Sequence, residues 1–172
     1  MGSSLIVTLK LDDGTQHFFN ALRKNYFPKH WNYINAHCTL IHKLPFPAEA
    51  EYIQRKLEAS ARRAAFNMMV SDVDHTGNVV SYRIVSTELQ KLHLDLQADF
   101  ATLLMKRDRQ ILQPHITIQN KVTAFKSAAL HKKLTESFHT MNILATGFCT
   151  WLYSKGKWQH VQDLDFHAAK KL

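Results

Sequence analysis

The chain has 172 residues, 45% hydrophobic and 10% aromatic, so it buries a sizeable core and is not a disordered protein. Five glycines and four prolines leave no low-complexity linker, and no apolar run approaches the roughly 20 residues of a membrane span. The net charge of +8 favours an anionic partner, with a nucleic acid or nucleotide the obvious class.

Cys38 and Cys149 each sit in an apolar, strand-like stretch, which argues against a disulfide framework or a structural zinc site. Met1-Gly2-Ser3-Ser4 is too short and uncharged for a signal peptide, so a cytoplasmic location is expected.

Leu5–Leu11 predicts a first strand, ended by the turn signal Asp12-Asp13-Gly14. Thr15 is placed to cap a helix running to about Tyr26, with Phe18, Phe19, Leu22 and Tyr26 on one side and Pro28 stopping it. A loop through Trp31 and Tyr33 leads into a strand at His37, which Pro45 and Pro47 close. Glu49–Ala64 predicts an amphipathic helix with Tyr52, Ile53, Leu57 and Ala61 inside. Phe66–Val73 and Val79–Val85 predict two strands joined by a hairpin turn at His75-Thr76-Gly77-Asn78.

Ser86 or Thr87, with Glu88 and Gln90 nearby, marks the start of a helix that Leu89, Leu92, Leu96, Phe100 and Leu103 carry to about Met105. Lys106-Arg107-Asp108-Arg109 reads as a solvated polar loop before Pro114 and a strand at His115. Ala124–Met141 predicts a helix, followed by strands near Ile143–Tyr153 and Trp158–Phe166 that turn at Ser154-Lys155-Gly156. The same order of elements therefore occurs twice, over about residues 16–85 and 87–166. The predicted fold is α+β: one bilobal unit over residues 1–172, two pseudo-symmetric lobes, each an antiparallel sheet with outer helices, around a central cleft.

The repetition is sharpest at His37-Cys38-Thr39-Leu40-Ile41-His42-Lys43 and His115-Ile116-Thr117-Ile118-Gln119-Asn120-Lys121. Strand alternation puts His37, Thr39 and Lys43 on one face, and His115, Thr117 and Lys121 likewise, with the intervening apolar residues turned into a core. Each copy then offers an imidazole, a hydroxyl and an ammonium, half of a phosphate site. A lone His-x-Thr is no more than a half-buried histidine in a sheet. Of the 11 histidines, however, only His37 and His115 have Ser or Thr two places on, and both carry the same strand context.

These paired motifs resemble the 2H phosphoesterases, also described as 2′-5′ RNA ligase-like or cyclic phosphodiesterase proteins, and among them the small bacterial members. The resemblance covers most of the chain through Phe27-Pro28, Trp31-Asn32-Tyr33, Ala36-His37-Cys38-Thr39-Leu40, Lys43-Leu44-Pro45, Pro114 to Lys121 and Trp151-Leu152-Tyr153. It implies a metal-independent site with no cofactor, in which His37 and His115 act as acid and base and Thr39 and Thr117 hold the phosphate. Many relatives carry the flanking cation at a different offset, so Lys43 and Lys121 rest on strand parity.

The chemistry suits these residue types. Histidine exchanges protons near neutrality, Thr hydroxyls donate to non-bridging oxygens, and Lys offsets charge building on the phosphate. The expected reaction is hydrolysis of a 2′,3′-cyclic phosphate or a 2′-5′ phosphodiester in RNA ends or small cyclic nucleotides, by a monomer without membrane attachment. His115 is assigned the base role and His37 the acid role. Arg83, in an otherwise apolar strand, faces either cleft or solvent; Tyr153, on one strand face with Trp151, either stacks a base or fills the core. The alternative is a protein that binds or joins RNA ends in the same cleft.

Overall fold

The computed structural model describes residues 3–167. Its elements are β1 (Ser4–Leu11), α1 (Asp13–Tyr26), β2 (Cys38–Pro45), α2 (Ala50–Ser60), β3 (Phe66–Thr76), β4 (Val79–Val85), α3 (Thr87–Asp99), β5 (His115–Gln119), α4 (Ala124–Glu136), β6 (Met141–Ser154) and β7 (Lys157–Asp165). Short 3-10 turns at Lys29–Trp31 and Lys106–Arg109 precede β2 and β5. No described helix is long and apolar enough to cross a membrane.

All pairings are antiparallel, and the strands form one sheet in the order β2-β1-β6-β3-β4-β5, with β7 also on β6. The long β6 joins two halves: Met141–Ala145 pairs with β3, Gly147–Ser154 with β7, and Ala145–Tyr153 with β1. The α+β architecture of two antiparallel halves with outer helices is thus present, with the halves sharing one strand. The correspondence runs β1-α1-β2-α2-β3 against β4-α3-β5-α4-β6, because β1 lies between β2 and β6 as β4 lies between β5 and β3.

Local chemistry shifts several boundaries. Asp12 caps α1 instead of turning the chain: its carboxylate accepts from the Thr15 N–H at 3.0 Å, the Thr15 hydroxyl at 2.6 Å and the Leu144 N–H at 3.1 Å. On α1 the buried residues are Phe19 and Arg23, while Phe18 is exposed. The third helix ends at Asp99, because Leu103 and Leu104 turn back to bond the Phe100 carbonyl, which folds Leu104 into the core. Both hairpins form where the turn residues predict. Gly77 adopts φ 62°, and Lys155 and Gly156 adopt 50° and 80°, the paired positive values of a two-residue hairpin loop. Gly147 permits the β6–β7 contact, since a Cβ there would meet the Leu164 carbonyl oxygen at 2.3 Å.

The core runs under both halves of the sheet, from Leu9, Leu40 and Leu57 to Ile84, Leu92 and Ile116. Phe19 of α1 packs edge-on to Tyr82 of β4, ring centroids 5.3 Å apart. That contact ties a helix of the first half to a strand of the second.

Candidate active site

The two motif strands are the two edges of the sheet path, and the sheet curls until β2 and β5 approach each other without pairing. Burial pushes the Cys38 thiol up to about 12, with the His115 backbone acting in the opposite direction. In the registers, Thr39 lies opposite Thr8, while Thr117 lies opposite Ser81 and His115 opposite Arg83.

The imidazoles are anchored alike. His37 Nδ1 bonds the Asn35 carbonyl at 2.8 Å, and His115 Nδ1 bonds the Gln113 carbonyl at 2.7 Å, each two residues upstream. A carbonyl only accepts, so Nδ1 carries the hydrogen in both rings, and Nε2 has no hydrogen-bond partner among the described residues. A cavity of about 240 Å³ on the His37 side is lined by Thr8, Lys10, Cys149, Trp151, His160 and Asp163. Another of about 730 Å³ on the His115 side is lined by Asp74, Ser81, Arg83, Ser86, Gln90 and Gln113.

The two rings differ in their surroundings. His37 is half-buried with Trp158 against it, ring centroids 5.0 Å apart, whereas His115 is exposed. Burial lowers the His37 pKa to about 4; its bond to Asn35 opposes that, and the charges of Arg23 and His115 add to it. Trp158 in turn meets Trp151, whose ring faces His160, and His160 bonds Asp163 at 2.7 Å. Among the described residues, no three His, Cys, Asp or Glu side chains are grouped to hold a metal ion.

The family model of the 2′-5′ RNA ligase superfamily matches residues 11–157. The chain belongs to that superfamily. Among curated proteins no sequence matches it. Solved structures that share its fold along nearly the whole chain include those of two proteins. TT0787 of Thermus thermophilus is 15% identical with a TM-score of 0.65, covering 96% of this chain and 98% of its own. Escherichia coli LigT complexed with 3′-AMP is 17% identical with a TM-score of 0.61, covering 97% and 99%. LigT complexed with phosphate, also 17% identical, has a TM-score of 0.60 over 96% and 98%.

Within this superfamily fold the predicted site residues separate into two groups. Thr39 belongs to β2 and His37 is the residue just before it, His115 and Thr117 belong to β5, and these two strands approach each other; the cavity beside His37 is distinct from the one beside His115. Arg83 shares the larger cavity with His115, its guanidinium held by two bonds to Asp74, with Asp72 at 3.9 Å. Tyr153 is exposed on β6, in register with Trp158.

The parity argument fails for both lysines. The β1–β2 register shifts twice between Thr39 and Leu44, which breaks the alternation from His37 to Lys43. Lys43 is exposed, and its backbone N–H donates to Asp108. Lys121 lies past the end of β5 at φ 61°, its Nζ 5.8 Å from the Trp31 ring centroid.

Three residues near the site escape a reading by motif. Asp108, in the supposed solvated loop, is only 4% exposed and accepts from the His42 N–H and Nδ1, both at 2.9 Å, and the Lys43 N–H at 3.1 Å. Burial alone would raise its pKa, but the His42 and Lys43 bonds hold it below the ordinary carboxylate value. Arg23 follows Phe19 by one helical turn, the spacing that placed it inward. Trp158 gave no local signal, since only the β6–β7 pairing carries it to His37.

Proposed function

We propose that this superfamily member is a phosphoesterase that opens 2′,3′-cyclic phosphate or 2′-5′ phosphodiester bonds in RNA ends or small nucleotides, with His37 and His115 as its acid–base pair. The observation that carries this reading is the matched Nδ1 anchoring of two imidazoles at the seam of β2 and β5, each leaving Nε2 open. Of the ligands solved with LigT, 3′-AMP is the kind of monophosphate such a reaction releases, and phosphate resembles its reacting group.

The unequal surroundings of the rings divide the roles. Burial keeps His37 neutral at physiological pH, so its Nε2 takes the proton of the attacking water. The water oxygen bonds to phosphorus as the bond to the ribose 2′ or 3′ oxygen breaks. His115 serves as the acid and gives that oxygen a proton from Nε2. Thr39 and Thr117 donate hydroxyls to the non-bridging oxygens as charge builds there. This exchanges the roles assigned from the sequence, where the repeat offered nothing to tell the two histidines apart.

Incubation with the four nucleoside 2′,3′-cyclic phosphates in EDTA tests the reading. Release of a 2′- or 3′-monophosphate, unchanged by the chelator, is the expected result. Retained binding of RNA ends without turnover would favour an end-binding protein, and dependence on a divalent ion would overturn the mechanism.

A further inference from the structure

The net charge of +8 is unevenly placed. Residues 14–48, 109–135 and 137–162 contain no Asp or Glu, so all 14 acidic residues lie in the remaining segments. Several cations outside those three stretches are matched: Lys10 pairs with Asp163 and Asp165, Lys56 with Asp99, Arg63 with Glu88 and Arg83 with Asp74. Lys29, Lys121, Lys155 and Lys157 lie inside them, are exposed, and form no ion pair among the described residues.

The acid-free segments meet beside the motifs. The loop after α1 exposes Trp31 and Tyr33, by 48% and 51%. Lys121, just past β5, brings its Nζ to 5.8 Å from the Trp31 ring centroid. It does so from φ 61°, a backbone region that lysine rarely occupies, with its N–H on the Asn120 side-chain oxygen at 2.7 Å. The Tyr33 hydroxyl donates to the Gly156 carbonyl at 3.4 Å, in the turn that leads to Trp158 against His37. A chain of contacts therefore runs from His37 through Trp158 and its turn to Tyr33, and along the loop to Trp31 and Lys121.

The loop is fixed from below. Arg23, 3% exposed, donates from Nε to the Asn32 side-chain oxygen at 3.1 Å and from Nη1 to the Thr117 carbonyl at 2.9 Å. Gln119 Nε2 donates to the Tyr26 carbonyl at 3.1 Å. These bonds tie both ends of the aromatic stretch to β5, so a ligand that covers it has little left to order. An exposed, fixed indole beside an unpaired ammonium suits a single strand: a base stacks on the ring, and its phosphate meets the cation. A duplex keeps its base faces stacked and has none to offer.

We propose that this surface binds the single-stranded RNA that continues from the reacting end, with Trp31 as a stacking platform and Lys121 as a phosphate contact. The inference rests on the reading of the site as one for RNA ends, and narrows that reading from free nucleotides to oligonucleotides.

Fluorescence anisotropy with labelled RNA ending in a 3′-monophosphate tests this without turnover, using a dinucleotide and an octanucleotide over a series of salt concentrations. The octanucleotide should bind the parent at least about 10-fold more tightly than the dinucleotide. Trp31→Ala should weaken octanucleotide binding by about 5- to 150-fold, and Trp31→Phe, which keeps a ring face, should recover most of it. Lys121→Asn, a residue that tolerates the positive φ, should lower the slope of log affinity against log salt by about 0.7, the share of one phosphate on a single strand. Both side chains are exposed, so the variants should fold as the parent does, which far-UV CD checks. Equal affinity for the two lengths, or a folded Trp31→Ala that holds the octanucleotide as the parent does, overturns the proposal. So does competition by a blunt RNA duplex or a poly-glutamate peptide equal to that of the single strand, which would show a surface that reads charge alone. An octanucleotide held here by a protein that hydrolyses no cyclic phosphate counts against the proposed function alone. Hydrolysis of cyclic mononucleotides with no gain in affinity from added length counts against this surface alone.

Discussion

Trp158 lies against His37 with ring planes inclined by 42°, although 121 positions separate them in the chain (158 − 37). The β6–β7 hairpin brings them together, and the contact supplies part of the burial that sets His37 apart from His115. Replacing Trp158 with Ala should therefore have two separable effects. The His37 midpoint should rise toward 6.5 as water reaches the ring. Affinity for a nucleotide should fall by about 1–3 kcal/mol if the indole also stacks a base. Ring NMR and a KM series over the four cyclic nucleotides measure these independently; an unchanged midpoint shows that Trp158 does not bury the ring.

Loss of either imidazole should slow turnover by about 10²–10⁴-fold, the usual worth of a positioned acid or base. The double variant His37→Ala/His115→Ala should lose less than the product of the single losses, because the pair acts as a unit. Neither ring fills the apolar core, so far-UV CD should stay that of the parent. An unfolded His37→Ala, or turnover within a few-fold of the parent, would show that the histidines are structural.

Stability should fall on acidification, through His37. Its pKa is about 4 folded and about 6.5 unfolded, so between those values the unfolded chain binds the proton and the folded chain does not. The protein then loses stability as pH drops from 6.5 toward 4, and this contribution levels off below that. His37→Gln should melt with a flatter pH dependence across that window. Equal slopes for parent and variant would contradict the lowered value.

Asp108 predicts a second acid-sensitive element, at lower pH. Its folded pKa lies below the ordinary 3.8, so its bonds stabilise the protein above that pH and are lost as pH falls through the folded value. At neutral pH, Asp108→Asn should cost about 1–3 kcal/mol, since one amide oxygen cannot replace both carboxylate oxygens facing His42 and Lys43. Urea unfolding at pH 7 and pH 3 checks it: the difference between parent and variant should shrink at pH 3.

Much of this was legible in the chain. The element order and both hairpin turns follow from local signals: apolar periodicity and Gly at a positive φ. Lys43 was misplaced because alternation holds only in an unbroken ladder, and β2 has two register shifts before that position. Asp108 hid in a charge run, since nothing local distinguishes a solvated aspartate from one that reaches across to two backbone amides of another strand. The inequality of His37 and His115 was invisible for a related reason. It depends on the burial of His37, to which Trp158 of β7 contributes only in the folded chain.

The pairing of β1 has a consequence for synthesis. It pairs along its whole length with β6, Ser4 opposite Tyr153 and Leu11 opposite Ala145, and this contact closes nearly the full span of the chain. As the polypeptide leaves the ribosome, β1 gains β2 early and then waits for its second neighbour until about 150 residues have emerged. Such long-range pairing is slow and leaves apolar strand edges open meanwhile. The helix pairs and the β3–β4 hairpin can form en route, while β7, which carries Trp158, comes last. His37 therefore gains its Trp158 neighbour last, and a chain truncated before β7 would hold both histidines without the indole wall beside His37.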